Sequence, residues 1–170
     1  MAHVDTLPAS TPERSRSALV LLAFVGVCLL AGALGGLATQ SGIGSWYQSL
    51  RKPAWNPPSW VFSPVWTTLY VLMGTSAWLV WRERGFAPAR TEFGLFGTQL
   101  FLNALWSFLF FGFRAPLLAL IELVLLAGAV LATLLAFWRV RPLAGALLIP
   151  YLAWVTFAGV LNATLWRMNA

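Results

Sequence analysis

Residues Trp46 to Trp81, WYQSLRKPAWNPPSWVFSPVWTTLYVLMGTSAWLVW, change character half-way. The first half carries three prolines (Pro53, Pro57, Pro58), two adjacent cations (Arg51, Lys52) and three tryptophans (Trp46, Trp55, Trp60). Proline fixes its own φ and moves the preceding residue out of the helical region, so this half is expected to be stiff and non-helical. Pro57 and Pro58 before Ser59 then mark a helix start, because the first turn does not need the N–H that proline lacks. The second half is an apolar run with further tryptophans at 66, 78 and 81. A rigid aromatic loop that feeds an apolar helix suits a cover at a membrane surface, where indole and phenol rings favour the headgroup level.

Composition extends this reading to the whole chain. Of 170 residues, 59% are hydrophobic and 9% charged, against about 25% charged in soluble domains. This is the composition of a membrane protein, and apolar runs of span length make the expected class an all-α membrane protein. The net charge of +6 comes from eleven cations scattered between apolar runs. They form no patch, so nucleic acid is not an expected partner and the lipid bilayer is. The single cysteine, Cys28, lies in an apolar run and reads as a small buried hydrophobe. The only histidine, His3, lies in the polar tail, which leaves no histidine-ligated metal or haem iron within the membrane region.

Residues 1–17 are polar and read as a disordered tail, followed by one membrane domain over 18–170. Its expected spans are 18–38, 59–81, 92–111, 115–138 and 143–166, five helices in all. The first apolar run could be a signal peptide, since Arg14 and Arg16 precede it. Its 21 uninterrupted residues instead match a retained span, because a signal core is only about 7–15 residues long. Gly32 and Gly36 form a GxxxG pair that permits close helix approach. In the third span Gln99, Asn103 and Ser107, spaced by four, share one face, and in lipid such a face must meet protein or a cavity. In the fifth, Pro150, Trp154, Ala158 and Asn162 share another. Seven cations (14, 16, 82, 84, 90, 139, 141) fall on one side of the bundle and four (51, 52, 114, 167) on the other. The positive-inside rule then puts the N-terminus inside and the 39–58 loop outside.

Three motifs in order carry a resemblance. They are WYxxLxKPxWNPPxWVFxxVWxxLYxxMG from Trp46, QLxxNxxWSxxFF from Gln99 and PYLAWxxFAxxLNxxxWRxN from Pro150. Together they resemble the translocator proteins, also called tryptophan-rich sensory proteins (TspO) or peripheral-type benzodiazepine receptors. The resemblance implies a five-helix bundle, a homodimer, and a ligand pocket roofed by the 39–58 loop. It implies porphyrins such as protoporphyrin IX or haem as ligands rather than required cofactors, along with other hydrophobic small molecules. It further implies a pocket that includes Tyr47, Trp66, Asn103, Trp154 and Ala158, with Trp66 and Trp154 in a catalytic role in light-dependent porphyrin breakdown. The expected location is a bacterial cell membrane, with an outer membrane as the alternative. The sterol motif proposed for animal members needs a tyrosine where this chain has Ala163.

Read from the residues alone, Trp46, Trp81, Trp138 and Trp166 lie at span ends as interface anchors, whereas Trp66 and Trp154 lie nearer mid-span, where no anchor is needed. Asn103 suits an interhelical hydrogen bond, a ligand contact, or both; Ser107 shares its face and is taken as a ligand contact with it. A flat macrocycle is expected between the indoles of Trp66 and Trp154, with the Asn103 amide at its edge and room left by Ala158. Arg51 and Lys52 suit porphyrin propionates or lipid phosphate equally. No Ser/His/Asp set, metal cluster or phosphate loop supports hydrolysis, so any chemistry is at most photo-oxidative. The expected function is a tetrapyrrole-binding membrane receptor; the alternative is a transporter that moves tetrapyrroles or lipids across the bilayer.

Overall fold

A computed structural model describes residues 11–170, apart from the side chains of residues 11–13 and of Ser41. Its helices are α1 (Thr11–Gly42), α2 (Ser45–Ser49), α3 (Ser59–Arg84), α4 (Arg90–Ser107), α5 (Pro116–Val140), α6 (Pro142–Ala146) and α7 (Ile149–Asn169), with a π-helical turn at Phe108–Gly112 after α4. The described residues contain no strand.

Several boundaries differ from the sequence reading. α1 begins at Thr11, so residues 11–17 of the polar tail are helical; residues 1–10 lie outside the described residues. The segment that begins at Trp46 is not wholly non-helical, because α2 forms a single turn over Ser45–Ser49. No proline occurs there before Pro53, so nothing forbids the turn until Lys52 is pushed into extended backbone. The fifth expected span, 143–166, is interrupted. α6 ends at Ala146 and α7 starts at Ile149, where Pro150 supplies no N–H to the preceding turn.

Among the described residues, four segments are long and apolar enough to cross a membrane: Arg14–Gln40, Arg90–Gly112, Pro116–Val140 and Pro142–Asn169, the last uniting α6 and α7. α3 is long enough, with 26 residues spanning roughly 39 Å at 1.5 Å per residue. Its four tryptophans, three threonines and three serines lower its hydropathy below that of the others. The reason lies in what it faces, since Trp66 and Tyr70 turn toward a cavity and Ser76 donates to the Ala144 carbonyl at 2.6 Å.

Helix association in lipid relies on close packing and hydrogen bonds, because the tails are as apolar as the side chains. α1 and α3 meet where Gly74 lies against the Val25 backbone, closer than any Cβ would allow. The central core is built from Met73, Ala77, Val80, Phe96, Leu126, Val130 and Phe137, with Phe96 stacked on Phe137 at 5.9 Å. Leucines on the outer sides of α1 and α5 stay exposed, as a lipid-facing surface requires. The cationic ends are tied separately. Arg84 pairs with Glu92 at 3.1 Å, Arg141 with Glu83 at 2.8 Å, and the Trp78 indole donates to the Ser17 carbonyl at 3.0 Å.

Candidate ligand cavity

Between α1, α3, α4 and α7 lies a cavity of about 1040 Å³, at the upper end of the ~300–1000 Å³ usual for small-molecule sites. The loop is shorter than the expected 39–58, because α1 runs on to Gly42, and it closes one end through Tyr47, Gln48, Lys52 and Asn56. Ala33 and Gly36 on α1, and Ser63 and Thr67 on α3, line the cavity and are exposed, so it reaches the outer surface between these helices.

The loop is seated by two kinds of contact. Below it, the π-helical turn brings both Phe110 and Phe111 inward, which an α-helical register would separate by about 100°. Trp46 meets Phe110 at 5.6 Å, and Tyr47 meets Phe111 at 5.6 Å. At its far side the Arg51 backbone N–H donates to Asn169 Oδ1 at 2.8 Å, and Asn169 Nδ2 donates to the Arg51 carbonyl at 2.9 Å. Tyr47 donates to Asn56 Oδ1 at 3.4 Å. Burial raises the Tyr47 hydroxyl above its ordinary value of 10 against the opposing effect of that hydrogen bond, so Tyr47 presents a neutral phenol.

Tyr47, Trp66, Asn103, Ser107, Trp154 and Ala158 all line this one cavity. One detail differs from the sequence reading, and a second matches the interhelical hydrogen bond expected of Asn103. The rings of Trp66 and Trp154 lie 6.5 Å apart at 88°, edge to face. They touch each other and form one corner of the wall, so no macrocycle lies between them as they stand. Asn103, which shares the expected cavity face, is held from both sides: Tyr70 OH donates to its Oδ1 at 2.7 Å and its Nδ2 donates to Tyr151 OH at 3.0 Å. Asn162 is structural as well as cavity-lining, since it accepts from the Trp106 indole at 3.3 Å and donates to the Pro116 carbonyl at 2.7 Å.

Tyr70 and Tyr151 are the residues that sequence reasoning undervalued. A signal was present, for two of the three tyrosines in the chain lie mid-span, away from the headgroup level that tyrosine favours. Trp66 stacks on Tyr70 at 5.6 Å and 26°, so the aromatic wall and the amide network are one structure. The stripe itself divides. Gln99 is buried with no partner on either amide atom and does not line the cavity, whereas Asn103 and Ser107 do. Glu122 is likewise buried, and neither of its carboxyl oxygens has a hydrogen-bond partner.

A multi-pass helical membrane protein with a roofed, aromatic cavity is the class that this fold and site define. The chain belongs to the TspO/MBR family, whose model matches residues 24–167. It is 43% identical over 150 residues to "Translocator protein" of Sus scrofa, covering 85% of this chain and 89% of the relative. It is 42% identical over 157 residues to "Tryptophan-rich protein TspO" of Chlorobaculum tepidum, covering 91% and 99%. It is also 42% identical over 147 residues to "Protein CrtK" of Rhodobacter capsulatus, covering 84% and 88%.

Proposed function

We propose that this protein is a five-span membrane receptor that binds tetrapyrroles such as protoporphyrin IX, with α3 as the fifth span and the loop before it as roof. The observation that carries this reading is the cavity itself. It is large enough for a macrocycle, and Phe62, Trp66, Trp154 and Phe157 offer it flat aromatic surface. Light absorbed by a bound porphyrin supplies reactivity that this chain's side chains lack: the excited porphyrin takes an electron from the Trp66 or Trp154 indole beside it, and dissolved dioxygen is the oxidant that accepts the electrons as the macrocycle is broken down. The protein's part is placement and exclusion of water. A homodimer in a bacterial cell membrane completes the proposal. A transport reading is favoured by one finding, the name of the translocator relatives; uptake of porphyrin into proteoliposomes separates it from binding.

Titration with protoporphyrin IX, in the dark and in light, tests the receptor reading through quenching of tryptophan fluorescence. Trp66→Phe and Trp154→Phe keep an aromatic face and remove the indole. Each is expected to change affinity by less than about tenfold, or 1.4 kcal/mol, while light-dependent breakdown falls sharply. Ala158→Leu fills space and is expected to block binding. Parental breakdown rates in both tryptophan variants would reduce these indoles to packing residues.

A further inference from the structure

Among the described residues, one charged side chain lines the cavity, that of Lys52. Its neighbour Arg51 is exposed and does not line it; the Arg51 backbone is instead pinned to Asn169. The chain therefore separates two adjacent cations, one turned out and one held at the roof of an aromatic cavity.

Lys52 is held but not neutralised. Its ammonium lies 4.7 Å from the Tyr47 ring centroid and donates to the Gln48 and Leu50 carbonyls at 3.3 Å each. Those bonds are longer than the usual ~2.9–3.0 Å, and an ammonium has a third N–H to give. Among the described residues no carboxylate answers it. Glu83 and Glu92 are paired with arginines at the far end of the bundle, and Glu122 does not line the cavity. Gln48, Asn56 and Ser59 surround the same end with polar groups, while Phe62, Trp66, Trp154 and Phe157 line the space beyond. The cavity is thus positive at its roof, while beyond the roof it offers a broad aromatic wall with no charged side chain among the described residues.

We propose that Lys52 is the recognition site for a carboxylate on the cavity ligand, so that the pocket selects hydrophobic acids over neutral molecules of the same shape. The inference rests on the tetrapyrrole reading and narrows it, because a porphyrin propionate is such a carboxylate on a flat apolar body. A charge-assisted bond at a partly dry site contributes more than a neutral one. The acid should lose affinity when the ammonium goes, and an ester should not.

The test compares protoporphyrin IX with its dimethyl ester, in the dark, on the full chain in phosphatidylcholine nanodiscs. Lys52→Met is expected to weaken the diacid by about tenfold to a hundredfold and to leave the diester within about twofold. Lys52→Arg is expected to restore most of the diacid affinity, and retained diester binding reports that the variants are folded. Equal losses for both ligands would make Lys52 a structural prop of the loop and overturn the inference, as would no loss for either. A loss that arises only when phosphatidylglycerol is added would assign the ammonium to lipid phosphate and overturn it too. If the parent chain binds neither porphyrin, the tetrapyrrole reading fails and this inference falls with it. If the parent binds both alike, only the role of Lys52 is lost.

Discussion

Gly32 and Gly36 show how one helical turn separates two identical residues. Gly32 lies directly against the Tyr70 ring, which a Cβ would overlap, whereas a Cβ on Gly36 would meet nothing within 4 Å beyond its own stretch of helix. Tyr70 in turn gives its hydroxyl to Asn103, so the missing Cβ on α1 positions an amide on α4. Gly32→Ala is expected to displace the ring and weaken that buried bond, costing about 1–3 kcal/mol. Gly36→Ala should lie within about 0.5 kcal/mol of the parent. Thermal unfolding of both variants in the same detergent checks this, and equal effects would disconnect Gly32 from the network.

At the scale of elements, the loop is a lid clamped at one end by a side chain near the end of α7. Asn169 uses its carbonyl and its amide on the same Arg51 backbone unit, across 118 residues of sequence. Each such bond adds about 0.5–1.5 kcal/mol, comparable with the free energy that separates open and closed states of a mobile segment. Asn169→Ala is expected to speed ligand dissociation by about tenfold and to change association less. Stopped-flow recovery of tryptophan fluorescence measures both rates; unchanged dissociation would show that the aromatic seat on Phe110 and Phe111 suffices. Because the clamp lies at the bundle's end, far from the Met73–Phe137 core, the melting temperature should hardly move.

Over the whole molecule, the cations sort into two ends that the fold ties independently. The end with α3's C-terminus is held by two ion pairs and the Trp78–Ser17 bond, the other by the lid clamp. With more cations at the first, the lid is expected on the outer face of the membrane. A Gln48→Cys substitution in a Cys28→Ser background should react with an impermeant maleimide in intact spheroplasts, since Gln48 is exposed and Cys28 is buried. Labelling that needs lysis would reverse the orientation.

Apolar run lengths, proline positions and three ordered motifs were enough to read an all-helical membrane bundle and its helix start after Pro57-Pro58. Those signals are local: a span needs a minimum apolar length, and proline acts on its own turn. Contacts across the bundle were out of reach. The tertiary structure alone set the perpendicular contact between Trp66 and Trp154, the capture of Asn103 by Tyr70 and Tyr151, and the divergence of Lys52 from Arg51. Each depends on side chains brought together from helices far apart in sequence, or on the Arg51 backbone held by Asn169. Periodicity within one helix records which residues share a face and says nothing of the atoms that the face will meet.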